Sequence, residues 1–198
     1  MMQNFTKDGY CLISDFYDVK TQIEPIQRDI QRIVAIVAEE HGVDAPCGNP
    51  HEAMTSGIMA IASANRAWAA EVYDAVKQIP TFMQLVSHEK NVEIFNKLRP
   101  GSTPGLAAGG YGIRIDFPSD DKYRTFWHQD FPAQLRSPDG VVFWTPLLPV
   151  TPEMGPVKLC VGSHADGIVP VVNDDGGACK TGAYALRLHD EENRLSRY

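Results

Sequence analysis

The chain changes its hydrophobic period near Arg99, and this change limits the folds that it can adopt. Before Arg99, apolar residues recur at helical steps between positions 23 and 37 and again between 68 and 79, where Pro80 ends the pattern. After Arg99, short β-rich runs are separated by clusters of glycine, proline, aspartate and serine. The predicted strands are 111–116, 125–128, 141–148, 157–161, 168–172 and 183–188. Helices followed by strands predict an α+β fold.

A single domain accommodates both halves of the chain. Its 198 residues are enough for one sizeable core and would be cramped as two independent domains. We expect residues 1–99 to form a mainly helical N-terminal part, with a turn and a short strand at 5–13. Residues 100–198 are expected to form part of a β-sandwich or barrel, with the helices packed against its outside.

The composition narrows the functional classes. The 25 acidic and 18 basic residues give a formal charge of -7, which disfavours a nucleic-acid surface because such surfaces are basic. No apolar run approaches the roughly 18 residues of a membrane span. Positions 1–16 also lack the apolar core of a secretory signal. We therefore expect a cytoplasmic protein with no membrane partner.

An imidazole and a carboxylate stand two residues apart in the run Phe-Trp-His-Gln-Asp at 126–130. Side chains two apart on a strand leave from the same face, so His128 and Asp130 can bind one metal ion. One histidine and one carboxylate make up two-thirds of the facial triad that holds non-haem Fe(II). The alternative is a histidine at a strand end that hydrogen-bonds to Asp130 and needs no metal. The His-x-Asp spacing alone leaves both interpretations open.

Four further motifs accompany this pair. Trp-His-Gln-Asp at 127–130 is followed by Trp-Thr-Pro-Leu at 144–147, Gly-Pro at 155–156 and Gly-Ser-His at 162–164, and Asp-Gly-Tyr stands at 8–10. In this order and spacing the chain resembles the phytanoyl-CoA dioxygenase family, whose members are Fe(II)- and 2-oxoglutarate-dependent oxygenases. The resemblance covers most of the chain.

The resemblance implies a double-stranded β-helix, which is a cupin-like jelly roll, with the N-terminal helices outside it. It implies that His128 and Asp130 are catalytic iron ligands and that Trp144 and Arg114 lie beside the 2-oxoglutarate co-substrate. It also implies a small-molecule substrate that is hydroxylated with molecular oxygen. Two of these residues have rival interpretations: Trp144 as a core aromatic residue, and Arg114 as a solvent-side charge on an alternating strand.

The chain departs from the family pattern after Asp130. The family places a distal iron-binding histidine on a later strand, after a Gly-Asp element, and a 2-oxoglutarate-binding arginine beyond it; neither stands before Tyr198. His189 and His164 are the candidates for the third ligand. His189 lies in a polar run, however, and the Gly-Ser-His turn that contains His164 serves loop structure in the family. We therefore expect a chain that is truncated relative to its family, or that is completed by a second chain or in a homodimer.

Three functions remain open from the sequence. The first is an oxygenase that uses Fe(II) and 2-oxoglutarate. The second is a non-catalytic or degenerate jelly-roll binding protein, which includes a truncated and inactive oxygenase fragment. The third is a cupin-like metalloenzyme that does not use 2-oxoglutarate.

Overall fold

The computed structural model describes residues 2–107, 109–118, 125–133, 137–173 and 186–198. Its N-terminal half is helical, as predicted. The helices there are α1 (Met2–Asp8), α2 (Glu24–Glu40), α3 (Pro50–Glu52), α4 (Ile58–Ala64), α5 (Arg66–Val76), α6 (Pro80–Val86) and α7 (Glu89–Leu98), with π-helical turns at Val19–Ile23 and Ala53–Gly57. The second half holds α8 (Asp130–Ala133), α9 (Glu191–Leu195), 3-10 turns at Pro152–Met154 and Ser163–Asp166, and strands β1 (Val171–Asn173) and β2 (Leu186–Leu188). None of the described helices is both long enough and apolar enough to cross a membrane.

Helix α2 is the central element of the helical half. Pro25 lies in its first turn, where the missing N–H group costs no helical hydrogen bond. Its apolar residues Ile26, Ile30 and Val34 recur every four positions and are buried on one face. That face packs against α5 and α6 and against both π-helical turns. The helical period predicted for 23–37 therefore marks the buried stripe of a real helix.

The start of the chain differs from its predicted strand. Residues Met2–Asp8 form α1, and the described residues that follow, 10–13, pair with no strand. The expected short strand is therefore wrong, and the expected turn is limited to Gly9, where α1 ends. A strand needs a partner to satisfy its backbone groups, whereas one helical segment satisfies its own. Helix α7 was not predicted either, because its buried stripe is narrow and consists of Ile94 and Leu98.

The hydrophobic core lies in the helical half. The fully buried side chains include Ile26 on α2, Ile61 on α4 and Val72 on α5. Among the described apolar residues of the second half, only Ile113 and Val169 are buried, and Ile113 belongs to the helical core. The described part of the second half thus lies against a helical core and has little interior of its own.

A single two-stranded sheet is present in the described part of the chain. Strands β1 and β2 pair antiparallel, with Val171 opposite Leu188 and Asn173 opposite Leu186. They correspond to the ends of the runs predicted at 168–172 and 183–188, although 183–185 lie outside the described residues. The runs at 111–116, 125–128, 141–148 and 157–161 contain no strand. The double-stranded β-helix is therefore not confirmed, because β-rich runs become strands only where another strand lies beside them.

The turn at Gly9 ties α1 to the Gly-Ser-His segment. Gly9 has a φ of 80°, in the left-handed region that glycine adopts without strain. The Gly162 N–H donates to the carbonyl oxygen of Asp8 at 2.8 Å, and His164 Nε2 donates to the carbonyl oxygen of Thr6 at 2.9 Å. A Cβ atom at position 9 would lie 2.6 Å from His164 Nδ1. His164 thus holds the end of α1, in agreement with a role in loop structure.

Replacing Gly9 with alanine should detach this turn. The substitution adds left-handed strain of about 1–3 kcal/mol and forces the His164 ring away from the backbone. We expect a loss of unfolding free energy in urea titrations that exceeds the loss for Gly42→Ala. Gly42 has a φ of 65° and open space around its Cβ position, so it reports the backbone strain alone. Equal losses for the two variants would show that the contact with His164 contributes nothing.

Candidate metal centre

The predicted metal-binding pair converges in the structure. His128 Nε2 and Asp130 Oδ1 lie 3.4 Å apart, and their side chains are 27% and 34% exposed. Two atoms that each lie about 2.1 Å from one metal ion are about 3.0 Å apart at the 90° angle of octahedral ligands and about 3.4 Å apart at a near-tetrahedral angle. The separation is also longer than the roughly 2.9 Å of an ordinary N–H···O hydrogen bond. The separation allows both atoms to bind one ion, and it also allows a long hydrogen bond, since a side-chain hydrogen bond with Asp130 is the first cause of the raised pKa of His128.

The backbone holds the His128 ring in an orientation suited to a ligand. Nδ1 donates to the carbonyl oxygen of Phe126 at 2.8 Å, so the lone pair of the neutral ring is on Nε2, the atom that faces Asp130. Histidines that bind metals usually have such a hydrogen bond at the other nitrogen. The pKa of His128 is raised, first by its interaction with Asp130 and against the effect of burial. The carboxylate therefore favours a positive charge at Nε2, carried by a proton or by a metal ion.

The chain reaches this geometry through a loop and the start of a helix. Residues 125–129 contain no strand, and Asp130 is the first residue of α8. The expectation that both side chains leave one face of a strand is therefore wrong, although the two groups still meet. The run 125–128 has no neighbouring strand in the described part of the chain, so nothing holds it in an extended ladder.

Gln129, the residue between His128 and Asp130, attaches the pair to a distant loop. Its side-chain Nε2 donates to the carbonyl oxygen of Gly167 at 2.8 Å, and its Oε1 accepts from the Val169 N–H at 2.8 Å. The Gln129 amide thus bonds to the backbone of the loop through one donor and one acceptor, as a residue of a neighbouring strand would. Val169 is among the few buried apolar residues of the second half, so the loop that Gln129 holds is itself packed.

Gln129→Ala should weaken metal binding without removing a ligand. The variant loses both hydrogen bonds to the loop, and loss of supporting contacts typically costs about 10–100-fold in metal affinity. We expect a loss near the lower bound in a Co(II) titration followed by visible absorption. Gln78→Ala, which removes an exposed amide at the end of α5, is the matched control and should bind Co(II) like the parent chain. Unchanged affinity in Gln129→Ala would show that the loop does not position the pair.

Phe126 joins the pair to strand β2. The Arg187 guanidinium lies 3.7 Å from the centroid of the Phe126 ring, while the Phe126 carbonyl holds His128. A cation above an aromatic face is attracted to the ring. Arg187 was missed from the sequence, because it lies 59 positions beyond His128 and no local motif marks it.

Arg114 lies within electrostatic reach of the pair, and Trp144 is not among the residues that line the cavity beside His128. The Arg114 Nε donates to both carboxylate oxygens of Asp116, at 2.8 and 2.7 Å, and its Nη1 donates to Thr125 Oγ1 at 2.6 Å. Its positive charge lowers the pKa of His128, which places it within electrostatic reach of the ligand. Its side chain is 45% exposed, as expected for a solvent-side charge as well. Trp144 is 54% exposed, so the described part of the chain does not bury it as a core residue.

The described residues supply no third ligand. No further histidine, cysteine, aspartate or glutamate among them brings a ligand atom within 4.8 Å of this pair. His164 is bound to the carbonyl oxygen of Thr6, and His189 is exposed, with its backbone N–H bonded to Pro170. Glu40, His41 and Glu71 form a separate cluster that could hold an ion, which was not predicted from the sequence. In that cluster His41 stacks on Trp68 and contacts Glu71, and these two contacts explain its position without an ion.

A cavity of about 190 Å³ opens beside His128. Its walls come from the end of α1, the segment 127–129, the run 158–160, the 3-10 turn at Ser163–Asp166 and the segment 194–198. Trp127 and His128 share this cavity with Leu188 of β2. The tie between α1 and the Gly-Ser-His turn therefore shapes the wall of a space that the candidate metal ligand faces.

Comparison with known proteins places these features in one family. A family model described as phytanoyl-CoA dioxygenase (PhyH) matches residues 5–193. No curated protein and no solved structure matches the chain. The matched range includes the helical half, the pair at positions 128 and 130, the cavity run 158–160 and both strands.

Proposed function

Because the chain belongs to the phytanoyl-CoA dioxygenase family, we propose that it is an Fe(II)- and 2-oxoglutarate-dependent oxygenase that hydroxylates a small molecule. The family match extends over residues 5–193 and confirms the resemblance inferred from short motifs. The observation that carries the proposal is the convergence of His128 Nε2 and Asp130 Oδ1 at 3.4 Å. A neutral imidazole and a carboxylate are two of the three ligands that Fe(II) has in oxygenases of this kind.

The residues around the pair have separate tasks in this proposal. His128 and Asp130 hold the iron, and the Phe126 carbonyl and Gln129 orient them. Arg114 attracts the negatively charged co-substrate toward the site. When bound, iron would supply oxidising chemistry at an unactivated C–H bond: molecular oxygen would give one atom to the hydroxylated product and one to succinate, which 2-oxoglutarate forms with loss of carbon dioxide. Trp144 beside the co-substrate remains a prediction from the family pattern.

We also propose that the second half belongs to a jelly-roll core. Val157, Leu159 and Val161 occupy alternate positions, and each is between 51% and 55% exposed. In the extended strand that a jelly roll would contain, these three side chains would share one apolar face and pack on a second layer. A second copy of the chain that supplies this layer would make the protein a homodimer. Analytical ultracentrifugation should then show a dimer that Val161→Lys converts to monomer.

Anaerobic titration tests the iron site directly. Fe(II) added together with 2-oxoglutarate should produce a visible absorption band, because the co-substrate chelates iron only when both occupy one centre. Zn(II) with 2-oxoglutarate should bind without producing the band, since Zn(II) has a filled d shell. Absence of the band under saturating Fe(II) would reject the proposal.

A non-catalytic binding protein is the second candidate. It is favoured by the finding that the described residues bring only two ligands together. Two ligands bind iron more weakly than three, while the cavity beside them would still accept a small molecule. The anaerobic titration distinguishes the two candidates, because a binding protein takes up its ligand and develops no visible band.

A further inference from the structure

We propose that the cavity beside His128 binds a small hydrophobic monocarboxylic acid, with Lys158 pairing the carboxylate. This inference rests on the proposed function, because it names the substrate class of the same site. His128 and Lys158 line one cavity, so a ligand anchored at Lys158 extends toward the candidate iron ligand.

The cavity lining is positive in a protein that is negative overall. Three cationic side chains, Lys158, Arg194 and Arg197, face two anionic ones, Asp8 and Asp166, which leaves an excess of one positive charge. The whole chain has a formal charge of -7. A positively charged cavity in a negatively charged protein attracts anions. The charge of the lining therefore favours an anionic ligand.

Lys158 is the cation that is available to the ligand. Arg197 already donates to the Asp166 carboxylate at 2.6 Å, and the Arg194 Nε donates to the carbonyl oxygen of His189 at 2.8 Å. Within the described ranges Lys158 has no hydrogen-bond or ion-pair partner, and it is exposed. A lysine ammonium paired with a carboxylate forms a charge-assisted hydrogen bond, which is stronger than a neutral one. Lys158 has no partner of its own among the described residues, and we therefore assign it to the ligand carboxylate.

The rest of the lining suits a short hydrocarbon chain. Trp127, Leu159, Val169, Leu188 and Leu195 contribute apolar surface around the charged end. The volume of about 190 Å³ lies below the range of about 300–1,000 Å³ for pockets that hold drug-sized ligands. Since a cavity of about 150 Å³ holds benzene, this space holds about eight non-hydrogen atoms. A CoA thioester is far larger, and its several phosphate charges would need more cations than Lys158.

Binding of hexanoate by the metal-free full chain tests the proposal. Hexanoate has eight non-hydrogen atoms, and hexanamide has the same shape without the charge. In isothermal titration calorimetry after EDTA treatment, we expect hexanoate to bind about tenfold more tightly than hexanamide. Lys158→Gln should reduce hexanoate affinity to that of hexanamide and leave hexanamide unchanged, and Lys158→Arg should retain the preference for the anion. Lys20→Gln removes the same charge outside the cavity and should bind both ligands like the parent chain.

Three results would overturn the assignment. Equal affinity for hexanoate and hexanamide would mean that the cavity does not select an anion. Unchanged hexanoate binding in Lys158→Gln would place the carboxylate elsewhere. A loss of 2-oxoglutarate affinity in Lys158→Gln that equals the loss for hexanoate, measured by the Fe(II) band, would assign Lys158 to the co-substrate. The hexanoate titration contains no metal, so its failure is distinct from failure of the iron site.

Discussion

Replacing His128 with alanine should abolish the visible band that Fe(II) and 2-oxoglutarate form together. The variant leaves Asp130 as the only ligand of the pair, and a single carboxylate does not hold iron against water. Because even supporting residues cost about 10–100-fold in metal affinity, we expect a loss of more than about 100-fold for a ligand. The band amplitude and the rate of 2-oxoglutarate decarboxylation measure this effect.

His51→Ala is the matched control for that experiment. His51 lies on α3, it is exposed, and it does not line the cavity, so the variant should keep the band and the turnover. The unfolding midpoint of His128→Ala should stay close to that of the parent chain, because the ring is partly exposed and stands outside the helical core. Unaltered iron binding in His128→Ala would rule out its role as a ligand.

Ile26→Ala should cause a large loss of stability. Ile26 is fully buried at 0% exposure, and its helix packs against α5 and α6. Removing a buried aliphatic side chain of this size typically costs about 2–5 kcal/mol, because the transfer energy is lost and a cavity remains. Urea unfolding followed by far-UV circular dichroism measures the change.

Ile36→Ala is the matched control because it lies on the same helix with 60% of its surface exposed. Both variants gain the same helix propensity from alanine, so the difference between them reports burial alone. We expect Ile36→Ala to change the unfolding free energy by less than about 0.5 kcal/mol. Similar losses for both isoleucines would mean that the buried face of α2 is assigned wrongly.

The helical half could be predicted where a helix shows a wide apolar stripe. Helix α2 repeats Ile26, Ile30 and Val34 on one face, and this local period survives any tertiary arrangement. Helix α7 buries only Ile94 and Leu98, and a stripe of two residues does not stand out from chance. The short helix α1 covers residues that were predicted as a turn, because its seven residues are too few to show an apolar helical period.

The strands of the second half could not be predicted individually. The runs at 141–148 and 157–161 have strand composition, yet neither contains a strand in the described part of the chain. A helix closes its hydrogen bonds within one segment, whereas a strand needs a neighbour whose position depends on the whole topology. Only the ends of two runs, at Val171–Asn173 and Leu186–Leu188, lie side by side and pair.

The candidate site also has one part that the sequence predicted and one part that it could not predict. His128 and Asp130 stand two residues apart, and at that spacing their side chains can meet in more than one local conformation, so the order of residues alone identified the pair. Gln129 meets Gly167, and Phe126 meets Arg187, across 38 and 61 positions, and no local signal marks such contacts. Contacts between residues that are close in sequence can be predicted, because the covalent chain keeps those residues close in space. The contacts that orient the pair, and the cavity that combines α1 with the segment 194–198, exist only once distant segments are packed together.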